Sequence, residues 1–322
     1  MRAPTGEQYE LTCATPNGVL RATITQVAAG VRTLTLEGSD LTEPFDEDAT
    51  PPSGDGITLV PWPNRVRDGR WDLRAEDGTE SVQQLALTEP AKGNAIHGLL
   101  RYAPFSLVGR EDHSVTQTAT VYPQLGYPFL LDVVVRHELT DAGLEVTTTV
   151  ANAGSGTAPV AVGAHPYLRV GEVPTDSLVL RIAADTHLTS DARGNVTGAH
   201  PVDGTDYDLR AGRVVAELDI DDGWADAHVV DGVVEHSLTA PDGRSVVLWG
   251  DENMRFVQGF THRSFATLTP GGVAVAIEPM TAPADALNSG DGLRRLSPGD
   301  RWSVRWGIRP AGPWMPEDLA ER

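Results

Sequence analysis

One cysteine and one lysine in a chain of 322 residues close off several kinds of chemistry before any motif is read. Cys13 alone forms no internal disulfide, no cysteine zinc cluster and no iron–sulfur site. Any Schiff base would have to use Lys92, in the polar loop Glu89-Pro90-Ala91-Lys92-Gly93, where no apolar neighbour in sequence would unmask its amine. Basic charge is also short. With 25 Lys and Arg against 45 Asp and Glu, the chain carries −20 with histidine neutral, which argues against nucleic acid as a partner. Long apolar runs are missing, since no stretch approaches the roughly 18 residues of a membrane span. The opening Met1-Arg2-Ala3-Pro4-Thr5-Gly6-Glu7 does not lead into an apolar segment. The expectation is a soluble, cytoplasmic protein with no membrane partner. Helical periodicity is scarce as well, and its best candidate is a turn or so over Ser81 to Leu87.

What is present is the punctuation of a β protein. Thirty-three glycines and 23 prolines recur between short alternating runs instead of pooling in one linker. Leu131, Val133, Val135, His137 and Leu139 hold a period of two, and so do Leu144, Val146, Thr148 and Val150 across a turn at Asp141-Ala142-Gly143. A second hairpin sets Val234, His236 and Leu238 against Val246 and Leu248 around Pro241-Asp242-Gly243. Further strands are expected over Ala22 to Val27, Val31 to Leu36, Leu178 to Ile182, Val273 to Ile277 and Trp302 to Ile308. The fold class is therefore all-β and mainly antiparallel, with residues 1–322 forming one domain. The loop Glu43 to Gly56, with its Asp-Glu-Asp and Pro-Pro-Ser-Gly runs, is expected to be solvated.

Four segments place ionisable or amide side chains beside Gly, Pro and aromatics. In Pro61-Trp62-Pro63-Asn64-Arg65-Val66-Arg67-Asp68-Gly69-Arg70-Trp71, the fixed fork of an arginine suits paired hydroxyls or a carboxylate, and tryptophan suits the C–H face of a sugar. Taken alone it is equally a Pro-rich turn with solvated arginines. Asn94-Ala95-Ile96-His97-Gly98 and Val162-Gly163-Ala164-His165-Pro166-Tyr167 hold the two histidines with the most restrictive neighbours. Each could be a packed structural histidine, but the proline after His165 keeps the backbone there extended. The other histidines lie in ordinary strands or polar loops. In Val275-Ala276-Ile277-Glu278-Pro279-Met280-Thr281, an apolar strand ends on a carboxylate, a candidate general base if partly desolvated and otherwise a solvated strand end. Competing motifs fail: no helical histidine pair, Walker loop, dinucleotide glycine turn or G-x-S-x-G elbow is present, and Asp219 to Gly223 lacks the downstream glutamate of a calcium loop.

Taken in order, Asn64-Arg65 with Gly69 and Trp71, Asn94 to Gly98, His165-Pro166-Tyr167, and Glu278 leading to Asn288 resemble the aldose 1-epimerase (galactose mutarotase) family over roughly residues 15 to 310. The tail through Leu296-Ser297-Pro298-Gly299-Asp300 resembles its bacterial aldose-1-epimerase-like branch. The resemblance implies a large antiparallel β-sandwich, the galactose mutarotase-like supersandwich, with an open sugar cleft. It implies no metal, no organic cofactor, a monosaccharide as partner, and a monomer or homodimer. By motif position Glu278 would be the general base and His165 the general acid, with Glu278 ionised and His165 protonated. Arg65, His97, Asn64 and Tyr167 would bind sugar, together with an aspartate of an Asp-x-x-aromatic motif, Asp221 or its neighbour Asp222. The implied reaction interconverts the anomers of a free aldohexose such as glucose or galactose. A hexose-6-phosphate epimerase using Arg65, Arg67, Arg70 and Arg101, and a non-catalytic sugar-binding protein on the same scaffold, are the rivals.

Overall fold

The structure is a computed structural model and describes residues 2–74, 78–265 and 272–314. Two large sheets dominate it. One runs Ser106–Glu111, Ser114–Val121, Leu131–Thr140, Gly143–Asn152, Arg301–Ala311, Ser245–Asp251, Val233–Thr239, Val179–Arg181 and Arg213–Val214, with Val229–Val230 also on Val233–Thr239. The other runs Val196–Pro201, Ala184–Ser190, Asp221–Ala227, Phe256–His262, Ala274–Met280, Gly163–Ala164 and Thr58–Leu59, with Tyr167–Leu168 joining Ala274–Met280. Every pairing between the named strands is antiparallel, and among the described residues one four-stranded and three two-stranded sheets complete the fold.

Alternation explains how the two layers meet. In Leu131–Thr140, Val133, Val135, His137 and Leu139 point inward while their neighbours stay nearer solvent. Their partners are those the alternation requires: His137 faces Val146 and Leu139 faces Leu144. The second hairpin keeps its register too, with His236 opposite Leu248. Val133, Val146, Leu248 and Ile308 from the ten-stranded sheet share one core with Trp224, Val257, Val275 and Ile277 from the eight-stranded sheet. A sandwich forms because each sheet has one apolar face to cover. No helix among the described residues is long and apolar enough to cross a membrane.

Two expectations fail. The segment over Ser81 to Leu87 is no helical turn: Glu80–Gln84 is a strand paired with Arg70–Arg74, in a hairpin anchored by the Trp71 indole N–H donating to the Gly126 carbonyl. Tertiary pairing overrides a weak local pattern there. The Glu43 to Gly56 loop is not simply solvated. Its acidic tip is exposed, but Glu43, Phe45 and Asp55 are buried, and Glu43 and Asp55 both bond Tyr167 of the eight-stranded sheet.

Candidate active site

Strand Ala274–Met280 is buried along its whole length, so Glu278 has no solvent to turn to. Opposite it in register, Gln258 of Phe256–His262 projects from the neighbouring strand. On the other flank the chain approaches as Gly163–Ala164 and delivers His165. Pro166 cannot donate to a ladder, so pairing breaks there and resumes at Tyr167. The outcome is a contact between residues far apart in sequence: His165 Nε2 lies 3.4 Å from Glu278 Oε1.

A two-stranded ribbon supplies the wall above them. Arg65–Arg67 pairs with Asn94–Ile96, and the chain enters the first strand and leaves the second through left-handed residues, Asn64 at φ 52° and His97 at φ 62°. Side chains other than glycine seldom hold such angles, and they cluster where a site fixes them. The His97 N–H donates to the Asn64 carbonyl at 2.9 Å. Gly98 follows because a Cβ there would stand 2.1 Å from the Val60 carbonyl oxygen. The ribbon is itself held from behind by the tail of the Glu278 segment. Asp285 Oδ1 accepts the Arg67 N–H at 3.0 Å, and Asn288 donates to the Arg70 carbonyl at 2.9 Å. The motif residues after Glu278 therefore brace the wall and do not line the cleft.

Together these elements form an open cleft of about 340 Å³. Asn64, Arg65, His97, His165, Asp221 and Glu278 all line it. Arg65 sets its fork on Glu89, with Nε to Oε2 at 2.9 Å and Nη2 to Oε1 at 3.0 Å, and approaches Asp221 at 3.5 Å. Burial works against the Arg65 charge, but the Glu89 fork and Asp221 outweigh it and hold its pKa above the ordinary value. Gln258 ties the walls together, accepting from Asn64 at 3.1 Å and donating to Asp221 at 2.9 Å. The neighbouring Asp222 turns away and bonds His187 at 2.8 Å, beneath Tyr207. Asp221, not Asp222, is thus the aspartate in the cleft.

Tyr167 stands elsewhere than sequence order implies. Its side chain is fully buried and stacks against the His165 ring, 5.3 Å between centroids, so it backs the histidine instead of lining the cleft. Five lining residues escape the motif reading, Ser53, Thr88, Glu89, Lys92 and Phe260, while Arg101 was expected there only for a phosphorylated sugar. Lys92 Nζ lies 3.5 Å from Asp221, so the chain's one lysine is at the cleft after all. Glu89 and Lys92 directly precede the Asn94 segment, and Gln258 is an amide on the inward face of a buried strand; both were signals available in the sequence.

The electrostatics differ from expectation. Burial, reinforced by Asp221 and opposed by Arg65, pushes the Glu278 carboxyl well above the usual carboxylate range. Burial chiefly, with Arg101 and Arg65 adding repulsion, lowers His165 to about 4. His97 is driven down by burial, and then by His165, Arg101 and Arg65. Burial thus disfavours both charged forms of the pair, the Glu278 carboxylate and the expected His165 imidazolium. Three polar atoms here, His97 Nδ1, His165 Nδ1 and Glu278 Oε2, are buried without a protein partner. His97, His165 and Glu278 also bring donor atoms within 4.8 Å of one another, a spacing able to hold a metal ion.

Comparison with known proteins places the fold and the family. The chain is 32% identical over 284 residues to the uncharacterized protein YihR of Escherichia coli K12, covering 88% of this chain and 87% of that one. Its fold superposes on a GalM/aldose epimerase homologue from C. elegans with a TM-score of 0.80 at 18% identity, covering 95% and 99% of the two chains. A galactose 1-epimerase from Lactobacillus acidophilus NCFM gives 0.76 at 17% identity and 97% coverage of both. The family model for aldose 1-epimerase matches residues 11–309, and the chain belongs to that family of isomerases.

Proposed function

We propose that this enzyme interconverts the α and β anomers of a free aldohexose such as glucose or galactose. The observation that carries the reading is the 3.4 Å approach of His165 to Glu278 at the cleft that also holds Arg65, His97 and Asp221. Ring opening requires the C1 hydroxyl to lose a proton while O5 gains one, as the C1–O5 bond breaks and an aldehyde forms. Glu278 takes the first proton and His165 gives the second. Rotation about C1–C2 presents the other carbonyl face, and closure reverses both transfers. No atom is gained or lost by the sugar, and one proton within the pair is enough.

That single proton begins on His165 with the closed ring and rests on Glu278 when the aldehyde is present. Burial favours the second arrangement, in which both groups are neutral. The site is therefore tuned toward the opened sugar, and that preference lowers the barrier only because the closed forms do not share it. Arg65, His97, Asn64 and Asp221 hold the pyranose hydroxyls around this centre. The test is polarimetry of freshly dissolved α-glucose and α-galactose, where catalytic amounts of protein speed the approach to equilibrium. Saturable binding with no faster interconversion would mark a sugar-binding protein instead.

A second reading is favoured by Arg101. Its Nε is buried without a partner, and among the described residues no carboxylate lies within ion-pair distance of its guanidinium. An unneutralised cation on the cleft wall suits a sugar with an anionic substituent, as in a hexose 6-phosphate. The overall charge of −20 opposes such a substrate at long range, although the cleft itself balances three cations with three carboxylates. Comparing rates on glucose and glucose 6-phosphate, in wild type and Arg101→Met, separates the two readings.

A further inference from the structure

Behind His165 lies a buried acid that the reaction does not touch. Asp55 is 2% exposed and sits in the turn Pro52 to Ile57. That turn grips the His165 backbone twice: the Gly56 N–H donates to the His165 carbonyl at 2.9 Å, and the His165 N–H donates to the Ile57 carbonyl at 3.1 Å. Strand-like pairing cannot continue past this point because Pro166 has no N–H. The next donor, the Tyr167 N–H, is buried and would be stranded, yet Asp55 Oδ1 accepts it at 3.2 Å. The carboxyl thus does what a neighbouring strand would otherwise do. Its other oxygen, Oδ2, is buried with no partner, a cost of the kind that survives where a function uses it.

The position fixed in this way matters because Tyr167 forms the floor under the catalytic imidazole. The two rings lie 5.3 Å apart and 30° from parallel, and the opposite edge of His165 meets the His97 ring at 5.1 Å. Rotation of Tyr167 would free the imidazole to tilt away from Glu278. Gly56 locks the turn from the far side, because a Cβ there would come within 2.0 Å of the Val31 carbonyl oxygen. We propose that Asp55 is a positioning residue for His165, which spans the gap left by Pro166, holds Tyr167 through its backbone N–H, and so keeps the imidazole aimed across the cleft.

This inference rests on the proposed proton-transfer role of His165. Three variants test it: Asp55→Asn keeps an acceptor, Asp55→Leu keeps the shape without one, and Asp55→Ala serves where Leu does not fold. Expected are an Asn variant within about twofold of wild-type kcat, and a Leu or Ala variant at least about tenfold slower, with galactose affinity by calorimetry changed less than about twofold, since 1 Å misplacements cost turnover more than binding. The ¹⁵N imidazole resonances of His165 should shift in Leu or Ala and stay in place in Asn. A folded Leu or Ala variant with unchanged kcat, a parallel loss of kcat and affinity, an Asn variant as slow as Leu, or failure of both Leu and Ala to fold would each overturn the proposal. If the wild type does not catalyse mutarotation, the reading of the function fails, while the imidazole resonances still decide whether Asp55 positions His165.

Discussion

His137 and His236 in the ten-stranded sheet are as deeply buried as His97 and His165 at the cleft, and their surroundings are entirely different. Burial lowers both sheet histidines to about 3, a displacement as large as that of His165. His236 Nδ1 accepts the Ala183 N–H at 3.2 Å, and His137 simply continues the inward face of its strand. Neither lines the cleft, and among the described residues neither has a carboxylate at ion-pair distance. His137 Nδ1 is buried without a partner just as His165 Nδ1 is, so what the pair at the cleft adds to burial is two things: a second titratable group within reach and space for a ligand. A displaced titration is thus a property of burial anywhere in a core, and it becomes chemistry only where displaced groups converge on a cavity.

The contrast is most sharply broken by removing one group on each side. Glu278→Gln and His165→Asn should each lower kcat by about 100- to 10,000-fold, the usual contribution of a positioned acid or base, while galactose binding changes little. His137→Leu should leave kcat unchanged. Polarimetric rates on the three variants check this, and a cleft variant as active as His137→Leu would erase the distinction. Next in size is Asp221→Ala, which removes the partner of Arg65, Lys92 and Gln258. It should raise KM by about tenfold, equivalent to about 1.4 kcal/mol of lost binding, with kcat less affected.

The pH dependence sharpens the comparison further. A pair that works with one proton loses activity when it gains a second or gives up its only one. Because His165 is lowered to about 4 and Glu278 is raised, the rate should fall as pH drops toward about 4 and fall again as pH rises through the raised Glu278 value, above the usual carboxylate range. A profile centred on the ordinary histidine value would contradict the burial argument. The smallest effect belongs to the sheet. The unfolded chain takes up a proton at His137 below about 6.5, whereas the folded chain does so only near about 3. Stability is therefore lost as pH falls through that window, by about 1.4 kcal/mol per unit for one histidine. Urea unfolding between pH 6 and 4 should show a shallower slope for His137→Leu than for wild type.

Much of the frame was legible in the sequence because it rests on alternation. The Leu131 and Val234 hairpins keep the register read from their patterns, and Val31–Leu36 has the bounds that were expected. The cleft residues His165, Glu278, Arg65 and His97 were legible because each stands beside a proline, a glycine or another restricted residue. What was hidden depends on contacts between distant segments. Nothing local reveals that Asp55, in an acidic and Pro-rich loop, is buried, or that Tyr167 turns behind His165 instead of toward the cleft. The choice between Asp221 and Asp222 was closed by His187, whose bond to Asp222 spans 35 positions. The raised carboxyl of Glu278 and the lowered imidazole of His165 were hidden for a similar reason, since sequence supplies ordinary pKa values and burial supplies the rest.

The position of Lys92 has a practical corollary. As the chain's one lysine, 35% exposed and beside Asp221 at the cleft, it offers a lone side-chain amine for attaching a fluorophore. Acylating dyes would attach their reporter beside the arriving sugar without any engineered handle, and quenching on titration would turn occupancy into an optical signal.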